Sequence, residues 1–188
     1  LASESNSGVA PSDNSLVEVD ARVYRLLGLT PVEQILVEDF VRWNMQLVHG
    51  KVPSEVVAPP TNRDMRSYLS ILKGELDDFI GRDAGASHDV HAVLAKSSAM
   101  VMIRLVHGTA QSPSVLDAAD PTATAMAQTR EHLLHRHSQW LYFERCLKIY
   151  QEGAMYVFKP LEMIHWTRRQ AILDASEIIA ETLGGQRA

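Results

Sequence analysis

A single cysteine, Cys146, is present in the chain, so no internal disulfide can form and the fold must be held by a packed core. No apolar run approaches the roughly 18 residues that a membrane-spanning helix requires. The opening LASESNSGVAPSDNS has neither the basic nor the apolar stretch of a signal peptide. A cytoplasmic location and no membrane partner are therefore expected. The ten glycines are scattered, and none builds a Gly-x-Gly-x-x-Gly or Walker loop to cradle phosphate. An excess of basic charge is also missing. At a formal net charge of -5, contact with a polyanion has to come from a local patch.

With 188 residues, 46% hydrophobic and 22% charged, the composition is that of one ordinary globular domain. Because the chain opens with Leu1 and not Met, an internal piece of a longer protein or a non-standard start is expected. Residues 1–15, rich in Ser, Asn, Gly and Pro, read as a flexible tail or linker. Residues 16–188 then form a single α+β domain, helical over 16–82 and hairpin–helix–hairpin–helix over 83–188.

After a short apolar strip ending at Gly28, Thr30-Pro31-Val32-Glu33 spells a capping box with proline at the first helical position. The following helix puts Leu36, Phe40, Trp43 and Leu47 on one stripe. A second helix, capped by Asn62 and stopped at Gly81, presents Met65, Leu69, Leu72, Leu76 and Phe79. Alternating runs predict one hairpin over about 88–107 and another around Gln151-Glu152-Gly153, between QWLYFERCLKIY and AMYVFKPLE. Between them a third helix opens at Asp120-Pro121, with Met126, Leu133 and Leu134 inward. A last helix runs from Thr167 to about Leu183, with a second capping box in Thr167 and Gln170 and with Ile172, Ala175, Ile179 and Leu183 inward. The expected architecture is four antiparallel strands in two hairpins, packed on one side by about four helices.

Three groups could carry chemistry. His132, His135 and His137, with Cys146, offer zinc-type ligands, but a cationic helix end facing water explains the histidines without a metal. His88 and His91 are three apart in a strand and so point to opposite faces. A metal-dependent nuclease would need carboxylates and a lysine to converge, and Asp78, Asp89 and Lys96, with Glu75 and Asp77 nearby, are the residues available. The Glu75–Asp78 run is more simply the solvated side of a helix. No metal or catalytic residue is assigned.

The least ordinary stretch is FKPLEMIHWTRRQ. Arg168 and Arg169 occupy the first turn of a helix, where cations oppose the macrodipole unless a carboxylate such as Glu162 compensates, and helix N-termini also offer N–H groups to phosphate. With Lys159, His165 and Trp166 just before them, these residues could clamp a nucleic-acid backbone while the indole stacks. The plain alternative is an aromatic anchor beside two solvated arginines.

One block carries a resemblance. Val19, Asp20, Val23, Tyr24, Leu26, Gly28, Leu29, Thr30 and Glu33, within VDARVYRLLGLTPVEQILVEDF, are similar to a segment near the C-terminal end of large adenine-specific DNA methyltransferases of restriction-modification systems. SQWLYFERCLKIY and YVFKPLEMIHWTRRQAILDASEIIAETL resemble the closing region of bacterial modification and phage-defence proteins. The resemblance implies an accessory C-terminal domain whose catalytic part, with its S-adenosylmethionine, lies upstream. The catalytic tetrapeptide of Asn-Pro-Pro-Tyr type is absent, so no catalytic residue and no cofactor is carried over to this chain. The expected function is a non-catalytic accessory domain that contacts DNA or positions a methyltransferase or defence subunit through Lys159, His165, Trp166, Arg168 and Arg169. A protein-interaction module without DNA contact is the alternative, and a metal-dependent nuclease the third reading.

Overall fold

The computed structural model describes residues 13–48, 50, 53–81, 85–95, 98–108, 110–119, 124, 128, 147–151 and 153–185. The fold is α+β, built on a five-stranded mixed sheet. The strands are β1 (Ala86–Ala95), β2 (Ser98–His107), β3 (Ser114–Asp117), β4 (Leu147–Gln151) and β5 (Ala154–Lys159). Their spatial order is β3-β1-β2-β5-β4. Both expected hairpins form, β1 with β2 and β4 with β5, and β2 pairs antiparallel with β5 to join them. The expected set of four antiparallel strands is corrected by β3, which adds a fifth strand at the edge, parallel to β1. Only four residues long and flanked by prolines at 113 and 121, it is too short to show a periodicity of its own.

The helices are α1 (Asp13–Leu27), α2 (Pro31–Asp39), α3 (Met45–Val48), α4 (Ser54–Val57), α5 (Asn62–Ile80) and α6 (Arg168–Gly185). A π-helical turn, Phe40–Asn44, lies between α2 and α3, and a 3-10 turn, Met163–Trp166, precedes α6. Because α1 starts at Asp13, it takes in the last three residues of the expected tail. Its stripe of Leu16, Val19, Val23 and Leu26 is exposed, Leu26 at 86%. The Thr30–Glu33 capping box forms in full, Thr30 Oγ1 accepting from the Glu33 N–H and the Glu33 carboxylate accepting from the Thr30 N–H.

The core lies between the sheet and the pair α5 and α6. Val90 and Ala92 from β1, Ala99, Val101 and Ile103 from β2, and Met155 and Val157 from β5 meet Leu69, Leu72 and Leu76 of α5 and Ala171, Ala175 and Ile178 of α6. Cross-strand partners share a face, and Val90–Ile103, Ala92–Val101 and Val101–Val157 are partners in register. The cap of α5 is Thr61, which forms a capping box with Asp64 and leaves Asn62 as the first helical residue. Tyr68 also turns inward, whereas Phe79 is exposed. On α6, Ala171 and Ile178 join the expected Ile172 and Ala175 in the interior, whereas Leu183, expected inward, is exposed. A helix that packs on both a sheet and a neighbouring helix buries a stripe wider than one residue per turn.

The π turn changes the phase of the first stripe. It leaves Asp39 and Trp43 buried and Phe40 outside at 41% exposure, so the expected inward place of Phe40 is corrected. A π turn inserts one extra residue per hydrogen-bonded ring and so rotates the residues after it about the helix axis.

Of the helix expected from Asp120, Thr124 and Gln128 are described and are helical, while Met126, Leu133 and Leu134 lie outside the described residues. So do His132, His135, His137, Cys146, Lys96 and the QWLYFE part of the second hairpin.

Candidate functional site

At the start of α6, Thr167 Oγ1 accepts the Gln170 N–H at 3.1 Å, the first half of the expected capping box. The second half does not form, because the Gln170 side chain donates to Asp174 Oδ1 at 2.6 Å. The carboxylate that answers the two arginines comes from Asp39, at the end of α2. Its Oδ1 accepts from Arg168 Nε at 3.0 Å and Nη2 at 2.6 Å, and its Oδ2 accepts the Arg169 N–H at 2.9 Å. Glu38 adds a contact to Arg168 Nη2 at 3.1 Å. Burial alone would lower the Arg168 pKa, and these two carboxylates outweigh it and raise it. Glu162, the compensating group expected from sequence, lies instead 3.8 Å from His165 Nε2. Arg169 sits with its guanidinium carbon 5.7 Å from the centre of the half-exposed Phe40 ring.

Lys159 and Trp166 belong to the core, which corrects the expectation that they face a ligand. Trp166 is 1% exposed and donates its indole N–H to the Pro160 carbonyl at 2.8 Å. The Lys159 side chain has no exposed area. Its ammonium pairs with Asp174 Oδ2, donates to the Tyr68 hydroxyl at 3.0 Å and lies 4.3 Å above the Tyr68 ring. Tyr68 in turn donates to Asp174 Oδ2 at 2.5 Å. Lys159 faces the core because β5 alternates regularly. Val157, two residues earlier, is a core residue, and the cross-strand partner of Lys159 is Ala99, whose small side chain leaves room. A buried ammonium is tolerable only when fully paired, and the sequence separates these partners too widely for the pairing to be read in advance.

A second polar cluster ties α5 to the start of β1. Asp77 Oδ2 accepts from Lys73 Nζ at 2.6 Å and Ser87 Oγ at 2.7 Å; its Oδ1 accepts the His88 N–H at 2.7 Å and lies 2.9 Å from His88 Nδ1. Burial pushes the Asp77 pKa up, and these hydrogen bonds overcome it, holding the carboxyl at about 2. His88 and His91 do occupy opposite faces of β1, as the alternation requires. His88 lies on the helix side, and His91 Nδ1 is 2.8 Å from Ser114 Oγ on the other.

Asp89, beside His91, accepts the Gln111 N–H at 2.6 Å and a contact from Arg104 at 3.2 Å. The Gln111 hydrogen bond is the main reason its pKa is lowered. Strand alternation puts Asp89 on the face away from α5, the helix that carries Glu75, Asp77 and Asp78. The carboxylates named for a nuclease therefore do not converge. Among the described residues no group of three His, Cys, Asp or Glu is placed to hold a metal ion, and no helix is long and apolar enough to cross a membrane.

The structure thus brings Arg168 and Arg169 together at one surface with Asp39 and Phe40, leaves His165 half-buried beside them, and removes Lys159 and Trp166 to the interior. No protein-family model, curated protein or solved structure matches the chain.

Proposed function

We propose that this chain is a non-catalytic accessory domain of a bacterial, cytoplasmic DNA-modification or phage-defence protein, and that it works by positioning a methyltransferase-type polypeptide through protein contact. S-Adenosylmethionine would belong to that polypeptide. The observation that carries the reading is the surface around Arg169, where the guanidinium rests on Phe40 and the neighbouring Val37, Val41 and Met45 are exposed. Arginine and aromatic side chains in an apolar setting are what protein interfaces enrich. More than half of the large apolar side chains exposed among the described residues lie between Leu16 and Met45, a concentration that supports a covered surface. The DNA-modification setting rests on the resemblance of Val19–Glu33 and of the closing region.

Duplex DNA is the second reading, favoured by a separate observation. Helices α5 and α6 run parallel, because Tyr68 meets Asp174 near their beginnings and Leu76, Phe79 and Ile80 face Ile178, Ile179 and Thr182 further along. Their N-termini therefore share one end of the molecule, with Arg63, Arg168 and Arg169, together with Asp64, in the first turns and Arg66 just beyond. Against this, Arg168 is neutralised by Asp39 and Glu38.

The deciding experiment measures binding of the chain to the S-adenosylmethionine-binding polypeptide of its own system and, separately, to a labelled duplex at low and physiological salt. Protein binding weakened about tenfold or more by Phe40→Asp, with no salt-sensitive duplex binding, is the expected result. Salt-sensitive duplex binding that is lost in Arg168→Ala/Arg169→Ala would transfer the function to DNA contact. Absence of both would overturn the proposal.

A further inference from the structure

At the end of the molecule away from Arg168, a cleft of about 590 Å³ opens between the C-terminal halves of α5 and α6 over the sheet. Its walls are apolar, including Leu76, Phe79, Ile80, Ile103, Met155 and Ile178. That volume falls in the range of about 300–1,000 Å³ typical of small-molecule sites. The cleft also has a polar group set into it, His88.

The tautomer of the neutral His88 ring is fixed by its partner. Asp77 is held ionised by Lys73, Ser87 and the His88 N–H, and a carboxylate can only accept, so His88 Nδ1 must carry the proton it shares with Asp77 at 2.9 Å. In the neutral ring Nε2 is then an acceptor. Among the described residues it has no hydrogen-bond partner, and since no buried side-chain nitrogen or oxygen lacks one, this nitrogen is open to the cleft. The other polar groups at the rim are occupied. The Tyr150 hydroxyl donates to Glu181 at 3.2 Å, and the Thr182 hydroxyl donates to the Ile178 carbonyl at 2.9 Å.

We propose that this cleft is a binding site for a small aromatic molecule with one hydroxyl donor, a phenol, held by donation of its O–H to His88 Nε2. The apolar walls supply affinity without direction, and the fixed acceptor supplies the direction. An analogue of the same shape without a donor would leave Nε2 unpaired against its ring, and polar sites reject such analogues strongly. The site is independent of the partner-docking reading, because it lies at the other end of α5 and α6 and its test involves no other protein.

The test uses the full chain, labelled with 15N in its histidines, titrated with 4-methylphenol and separately with 4-methylanisole, in which the donor is methylated. Expected is a saturable shift of the His88 Nε2 resonance with 4-methylphenol and affinity for 4-methylanisole lower by about tenfold or more. Asp77→Asn removes the carboxylate that fixes the tautomer, since an amide can donate or accept at Nδ1, and the preference between the two ligands should then shrink towards unity. His88→Phe should abolish the preference while leaving the cleft apolar. No perturbation of His88, equal affinity for both ligands in the wild type, or a preference that survives in both variants would overturn the proposal.

Discussion

Asp39 caps a helix that begins 129 residues later in the chain, accepting the Arg169 N–H while its other oxygen holds the Arg168 guanidinium. A cation in the first turn of α6 would oppose the helix dipole, and this buried carboxylate offsets it. The pair thereby fastens the N-terminal helical segment to the sheet-bearing part of the fold.

Removing the carboxylate should show that coupling. Asp39→Ala is expected to lower stability by about 2–3 kcal/mol, combining a lost cap with a broken, partly buried ion pair. Asp39→Asn, which can still accept from the Arg169 N–H, should lose less. Urea denaturation of both variants, with Arg168→Ala as the third corner of a cycle, measures the terms. Equal and negligible losses would mean that the contact contributes nothing.

Lys159 offers a sharper contrast. Lys159→Met strands Asp174 as a buried charge and should cost about 3–5 kcal/mol. Adding Asp174→Asn keeps oxygen and nitrogen for Tyr68 and Gln170 but removes the stranded charge, so the double variant should be more stable than Lys159→Met alone. Thermal unfolding compares the three chains. A double variant less stable than the single would contradict the argument.

Acid stability should depend on Asp77. Its folded pKa of about 2 lies below the value of about 3.9 in an unfolded chain. Its contribution is therefore complete above the unfolded value and is lost as the pH falls through the folded one. The amount is about 2 kcal/mol by linkage, released between roughly pH 5 and pH 1. Stability measured across that window should be flatter for Asp77→Ala than for the wild type, and an unchanged slope would rule this out.

The β4–β5 turn makes a local prediction. Gly153 has φ +75° with open space around a Cβ, so the obstacle to a side chain is backbone conformation and not contact. Gly153→Val should cost about 1–2 kcal/mol, readable as a lower urea midpoint, whereas Gly74→Ala in the middle of α5, also in open space, should stabilise by about 0.4–1 kcal/mol.

What was legible in the sequence is what local physics decides. The Thr30–Glu33 box, the stripe of Met65, Leu69, Leu72 and Leu76, the stop at Gly81 and both hairpins depend on neighbours a few residues apart. Lys159 was misread because its sequence neighbourhood, next to His165, Arg168 and Arg169, resembles a basic patch. Its burial is set by the strand alternation of β5 and by Tyr68 and Asp174, which only the fold brings close. Asp39 was invisible for the same reason, and Phe40 moved outside because a π turn has no sequence period. His88 could be placed on a face but not in a cleft, since the far wall of that cleft comes from α6, about 90 residues away in the chain.

The parallel run of α5 and α6 has an electrical consequence. Two helices side by side in the same sense add their macrodipoles, where an antiparallel pair would cancel them. The side chains temper the sum: Asp64 and Asp39 sit among the arginines at its positive end, and Lys73 and Lys148 pair with Asp77, Glu177 and Glu181 toward the negative one. Like ends lie side by side in such a pair, and these opposite charges relieve the repulsion between them.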